Sequence, residues 1–221
     1  MITDDRMTAF IRSLEGPEDA FLGQLETDAR SAGVPVIRPE MKSFLRVLIA
    51  VRMPKRILEV GTAVGFSALL MAMASSQETS IVTIEKEEER IREAEKNFGL
   101  HPAGRKIELL RGDAADILPA LEGPFDMIFM DAAKGQYIHF LPDILRLLPE
   151  GGLLVSDNVL QEGDIIESHF AVERRNRTIY KRMREYLFAL KNTDGLLTSI
   201  VPIADGAAVS VKMRRHLEME Q

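Results

Sequence analysis

The stretch Arg56-Ile57-Leu58-Glu59-Val60-Gly61-Thr62-Ala63-Val64-Gly65-Phe66-Ser67 decides how the rest of the chain is read. Its first five residues form a short, mostly apolar run that stops at a glycine, the pattern of a buried strand. After the glycine loop, residues 64–75 are rich in Ala, Leu and Met and continue as a helix. Strand, glycine turn and helix in this order open a parallel α/β sheet. The alternation recurs downstream. Residues 80–84 are β-branched and end on Glu85; residues 87–98 read as a charged helix with Ile91, Ala94 and Phe98 on one side and Gly99 as its C-terminal cap. Residues 106–111 are a third strand before Gly112-Asp113, and residues 125–130 a fourth, ending at Asp131. Residues 141–148 are helical, and residues 152–156 are a fifth strand that runs into Asp157-Asn158. Continuous apolar strands between helices indicate a sheet covered on both faces.

On either side of this core the pattern differs. Residues 1–54 read as a helical cap, most clearly Pro39–Arg52, where Met41, Phe44, Leu45, Leu48 and Ile49 recur at helical spacing. Residues 172–191 read as a long helix with Ile179, Met183, Leu187 and Leu190 as its stripe. Two β-rich runs, Leu196–Val201 and Ala207–Lys212, follow, and Asp205-Gly206 between them signals an antiparallel hairpin. The 221 residues suit one domain, with the cap at 1–54 and the sheet at 55–221.

Composition narrows the chemistry. There are 28 Lys and Arg against 34 Asp and Glu, a net charge of −6. That excludes a globally basic nucleic-acid binder, though not a local basic patch. The chain has no cysteine, which excludes disulfide scaffolds, thiolate metal sites and cysteine nucleophiles. The first residues are polar and acidic, and the longest apolar stretch, residues 68–74, is too short to cross a bilayer. The expectation is a cytoplasmic protein with no membrane partner.

In open parallel sheets, ligands bind at the carboxyl ends of the strands. Each of the first five strands here delivers a glycine loop or an acid to that edge: Gly61 and Gly65, Glu85, Asp113, Asp131, and Asp157 with Asn158. The glycine spacing is not the dinucleotide pattern G-x-G-x-x-G, which argues against a nicotinamide dehydrogenase. Glu59 beside the loop would repel a pyrophosphate but tolerate an ammonium or sulfonium. Glu85 stands where an acid accepts from ribose hydroxyls, and Asp113 beside Ala114 could accept from an adenine amino group. Ribose, adenine and a cationic group together point to S-adenosylmethionine; the plainer alternative is a tight turn with solvated acids. Asp131, Asp157 and Asn158 are oxygen ligands without His or Cys, a set suited to Mg²⁺. Lys134, three residues past Asp131, could take a proton from a hydroxyl there, or could simply pair with Asp131 at the surface.

These motifs resemble the cation-dependent O-methyltransferases of the catechol and caffeoyl-CoA type. The resemblance covers nearly the whole chain. It implies a Rossmann-like seven-stranded sheet, mostly parallel, with a reversed final pair. It also implies roles: Gly61, Thr62 and Ser67 at the methionine moiety of the donor, with Ile37 packed nearby; Glu85 at the ribose; Asp113 and Ala114 at the adenine. Asp131, Asp157 and Asn158 match the metal ligands, with Asp131 also beside the donor, and Lys134 matches the general base. Within the family the chain resembles most the bacterial tRNA 5-hydroxyuridine methyltransferases, through Asp131-Ala132-Ala133-Lys134-Gly135-Gln136-Tyr137 and Asp157-Asn158-Val159-Leu160. A homodimer is implied as well. A small-molecule catechol-type enzyme and a non-catalytic S-adenosylmethionine-binding protein are the other readings.

The acceptor turns on one segment. Arg174, Arg175, Arg177, Lys181, Arg182 and Arg184 place six cations in eleven positions. Such a cluster suits phosphate backbones, and tRNA would be the partner. The same pattern also describes a solvated helix face.

Overall fold

The computed structural model of this chain describes residues 4–168 and 172–214. Eight α-helices and seven strands are present among them. In chain order they are α1 (Asp5–Ser13), α2 (Ala20–Ser31), α3 (Pro39–Arg52), β1 (Arg56–Val60), α4 (Phe66–Ala74), β2 (Ser80–Glu85), α5 (Glu88–Leu100), β3 (Ile107–Arg111), α6 (Ala114–Ala120), β4 (Met127–Met130), α7 (Tyr137–Leu147), β5 (Leu153–Ser156), α8 (Arg177–Asn192), β6 (Leu196–Val201) and β7 (Ala207–Lys212). The strands form one sheet in the order β3-β2-β1-β4-β5-β7-β6. The first five are parallel, and β7 runs antiparallel to both β5 and β6.

The central strands are apolar throughout because both their faces are covered. Ile57, Met127, Phe129 and Val155 turn to one side, into a core shared with Leu45 and Ile49 of α3 and Leu69 of α4. Their neighbours Leu58, Val60, Ile128, Met130 and Leu154 turn to the other side, against Leu118, Ile144, Met183 and Leu190. Alternation of side chains along a strand makes this division automatic. Helices α2 and α3 are therefore built into the sheet's own core. Ion pairs fasten them: Lys42, nearly buried, reaches Glu18 at 2.9 Å and Glu26 at 2.6 Å, and Arg46 also holds Glu18. The strand order reverses between β1 and β4, and that switch point opens a crevice at their carboxyl ends.

Several expectations need correction. Gly99 does not cap α5, which continues to Leu100 before Pro102 opens a 3-10 turn. The tail helix starts at Arg177, after a 3-10 turn at Arg174–Asn176, and its buried residues are Tyr180, Met183, Tyr186 and Leu190. Ile179 is 37% exposed. Met183 and Leu190 are buried as expected, but Tyr180 and Tyr186 take the inward places of Ile179 and Leu187, burying their rings while their hydroxyls find partners: Tyr180 on the Glu167 carbonyl and Tyr186 on Ser156. Helix α7 begins four residues before the apolar run at Leu141 suggests, and α6 is a seven-residue helix too short for a clear periodic signal. Among the described residues no helix is long and apolar enough to cross a membrane.

Candidate active site

The glycine loop is a consequence of crowding. Gly61 has φ +94°, and a side chain there would place its Cβ 2.5 Å from the Asp131 carbonyl oxygen. β1 and β4 are adjacent, so this close approach joins the loop to the neighbouring strand end. Gly65, at φ +87°, caps α4 against the Phe98 ring. Asn97 of α5 donates to the Val64 carbonyl at 2.8 Å and holds the loop from outside.

Beneath the loop, Glu59 is fully buried. Its Oε2 accepts from the Thr83 hydroxyl at 2.5 Å. Its Oε1 and the nearby Thr62 hydroxyl have no hydrogen-bond partner. Burial pushes the Glu59 carboxyl up to about 7, although Ser67, Thr62 and Thr83 favour its charge. An unpaired carboxylate oxygen under a glycine loop is a place for a cation.

Glu85 is positioned by backbone: it accepts from the amides of Ala63, Lys86 and Glu87 at 2.9 to 3.0 Å. Asp113 caps α6 through the Ala115 amide at 2.9 Å, and this bond, with Lys86 nearby, holds its carboxyl below the usual range. Both acids line a cavity of about 150 Å³, together with Ala114, Gly112 and Phe140. A second cavity, of about 380 Å³, is lined by Ile37, Gly61, Thr62, Ser67, Asp131, Lys134 and Asn158. Pro35, Val36 and Arg38, before α3, form part of its wall and were not singled out in the sequence. Gly61 and Ala132 line both cavities, so the two adjoin at the ends of β1 and β4.

Asp131, Asp157 and Asn158 converge at the ends of β4 and β5. The Asn158 side chain donates to Asp131 Oδ1 at 3.2 Å, and its amide donates to Asp157 Oδ1 at 2.7 Å. Asn158 takes a left-handed φ of 58°, which Asn tolerates better than most residues. Asp157 is only 2% exposed. Burial raises both aspartates above their ordinary range, and the charge of Asp131 raises Asp157 further. Among the described residues no group of three or more His, Cys, Asp or Glu could hold a metal by itself. Two aspartates and an asparagine oxygen do fit a hard cation that keeps open positions, and a divalent ion would cancel the repulsion.

Residues 18–213 match the family described as O-methyltransferase. The chain belongs to the O-methyltransferase family. It is 35% identical over 166 residues to the catechol O-methyltransferase of Niastella koreensis, spanning 72% of this chain and 75% of that protein. To the catechol O-methyltransferase of Mycobacterium tuberculosis it is 30% identical over 161 residues, 72% of this chain and 73% of that one. The structure of the Podospora anserina methyltransferase PaMTH1, solved with SAH bound, superposes with a TM-score of 0.85 at 25% identity, covering 95% of each chain.

In this methyltransferase Lys134 opens a short 3-10 turn at the rim of the larger cavity. Its ion-pair partner is Asp205, at 3.5 Å, and not Asp131. The sequence used Asp205 only as a turn signal. Tyr137 carries no functional signal in the sequence. Its buried hydroxyl lies 3.0 Å from the Met130 carbonyl and 3.2 Å from the Asp157 carbonyl, so it ties the ends of β4 and β5 together behind the aspartates.

The basic segment divides. Arg174, Arg175 and Lys181 are exposed, although Arg175 pairs with Glu173 at 2.7 Å and Lys181 with Glu185 at 3.8 Å. The others are tied to the fold by backbone carbonyls: Arg177 donates to that of Val172, Arg182 to that of Gly135, and the exposed Arg184 to that of Ile165. Arg182 thereby connects α8 to the turn that carries Lys134.

Proposed function

We propose that this methyltransferase moves the methyl group of S-adenosylmethionine to the 5-hydroxyl of 5-hydroxyuridine at the wobble position of tRNA, with Mg²⁺ held by Asp131, Asp157 and Asn158. The observation that carries the chemistry is the pair of adjoining cavities, one lined by Glu85 and Asp113 and the other by Asp131, Lys134 and Asn158. Glu85 would take the ribose hydroxyls, and Asp113 with Ala114 the adenine. Gly61, Thr62 and Ser67 would hold the methionine end, whose ammonium suits the unpaired oxygen of Glu59. Ile37 lines the larger cavity from the α3 side.

When bound, the cation supplies Lewis acidity that lowers the pKa of the acceptor hydroxyl. The 5-hydroxyl and 4-carbonyl of the base are vicinal oxygens, like those of a catechol. Lys134, which lines the same cavity as Asp131 and Asn158, would take the hydroxyl proton, and the oxygen would then attack the sulfonium methyl in line. Holding two substrates side by side contributes much of the rate. The reading of tRNA as acceptor rests on three exposed cations, Lys181 on the helix that Arg182 ties to the Lys134 turn and Arg174 and Arg175 in the 3-10 turn just before it.

Mass spectrometry of tRNA nucleosides from cells lacking the protein tests the acceptor. Accumulated 5-hydroxyuridine, with 5-methoxyuridine lost, is the expected profile; an unchanged profile rejects tRNA. The names of the catechol-acting relatives favour a second reading, a small catechol-type acceptor. Purified protein that methylated a catechol but not hypomodified tRNA would select it. For the cation, Asp157→Ala should abolish turnover while leaving donor binding intact by calorimetry. Turnover of that variant in EDTA would remove the metal role.

A further inference from the structure

We propose that Asp205, in the connection between β6 and β7, is a positioning residue that aims the Lys134 amine into the larger cavity. This rests on the assignment of Lys134 as the base. The carboxylate is a fixed point: its side chain is 6% exposed and its Oδ2 lies 3.5 Å from Lys134 Nζ. The backbone around it is pinned to the segment that follows Asn158. The Leu160 amide donates to the Asp205 carbonyl at 3.0 Å, and the Val159 amide to the Gly206 carbonyl at 2.9 Å. Gly206, at φ +86°, packs so closely on Leu160 that a Cβ there would come within 2.3 Å of its Cγ. The hairpin is thus keyed to the chain that carries Asp157 and Asn158.

Lys134 has the opposite character. Its side chain is 34% exposed and sits on a four-carbon stem with several free torsions. Left alone, the amine would sample many directions, and the field of Asp131 would draw it toward the aspartates. Asp205 gives it a second anchor. Lys134 first gives its ammonium proton to water; in the step itself the acceptor O–H bond breaks and an N–H bond forms on the neutral Nζ. The methyl passes from the sulfonium sulfur to the oxygen, leaving a neutral thioether. The ammonium produced at Lys134 then stands beside the Asp205 carboxylate until it gives its proton to water.

The test is a double-mutant cycle of Asp205→Asn and Lys134→Ala, with Asp205→Glu as the conservative rescue, using whichever acceptor the wild type turns over. Asp205→Asn should lower kcat about tenfold to a hundredfold, the usual scale for a partner that orients a functional side chain, with acceptor KM and donor Kd unchanged. Asp205→Glu should restore part of it. In the Lys134→Ala background, Asp205→Asn should cost almost nothing more. Equal losses in both backgrounds would overturn the proposal, as would an unchanged kcat. An independent arm needs no acceptor: acetic anhydride labelling of unliganded protein, read by peptide mass spectrometry. Lys134 should label several-fold faster in Asp205→Asn while the other lysines do not change; equal labelling overturns the contact. A Lys134→Ala variant with full turnover would instead refute the base assignment itself.

Discussion

Replacing Glu59 by Gln should make the unliganded methyltransferase more stable at alkaline pH while weakening its grip on the methyl donor. In the unfolded chain this carboxyl ionises near its ordinary value of 4.5; in the fold, burial pushes it up to about 7. The folded protein therefore resists an ionisation that the unfolded chain accepts. The group contributes nothing below about pH 4.5, costs increasing stability as pH rises, and exerts its full penalty above about 7. At roughly 1.4 kcal/mol per tenfold difference, the full penalty is about 3 kcal/mol. Because Glu59 is completely buried, solvent screening does not reduce that figure much. Glutamine keeps the shape and can still accept from Thr83. Its melting temperature should exceed that of wild type by about 6–12 °C at pH 8 and by far less at pH 5. Asp157 titrates in both proteins and cancels in the difference, whereas the repulsion between Asp131 and Glu59 is part of the penalty that glutamine removes. Donor affinity should move the other way: losing a charge-assisted contact to an ammonium costs about 1.5–3 kcal/mol, roughly tenfold to a hundredfold in Kd. Thermal melts from pH 5 to 8.5 and calorimetry with S-adenosylhomocysteine measure both. A stability difference that is the same at pH 5 and pH 8 would refute the account of the buried carboxylate. Unchanged donor affinity would refute its pairing with the donor.

Three further outcomes follow from the geometry. Gly61→Ala should reduce donor binding by more than tenfold in calorimetry, because its Cβ would overlap the Asp131 carbonyl and force β1 and β4 apart. Tyr137→Phe leaves two buried strand-end carbonyls without their hydroxyl and should cost about 1–3 kcal/mol in denaturant unfolding, with divalent-ion affinity also falling in titration calorimetry. Lys42→Met should destabilise the fold by about 3 kcal/mol, since Glu18 and Glu26 lose a nearly buried partner; chemical unfolding of the variant measures it.

Much of the architecture was legible because its causes are local. Residues 56–60 form a strand because a short apolar run ends at a glycine, and β6 and β7 begin and end where the pattern of β-rich runs places them. The acids and glycines at strand ends could be ordered along the chain without knowing which strands are neighbours. The errors arose where the local signal was shared by two conformations. Gly99 can end a helix or continue one, and here Pro102 decides. Half of the tail stripe, Met183 and Leu190, is legible; the other half is not, because Tyr180 and Tyr186 count as surface residues until a partner for each hydroxyl is known.

The sequence by itself determined which chemical groups are available: oxygen ligands without thiols or clustered histidines, small residues in the first loop, and one lysine near the fourth strand end. Those are properties of residue type and short spacing. The tertiary structure decided which of them meet. Asp131 and Asp157 repel one another only because β4 and β5 are adjacent. Gly61 is required only because β4 runs beside β1. Lys134 finds Asp205, 71 positions along the chain, only because β7 is inserted antiparallel beside β5 and carries its turn back to the site. Sequence distance carries no information about such contacts, because strand order, and not chain order, sets which ends share an edge.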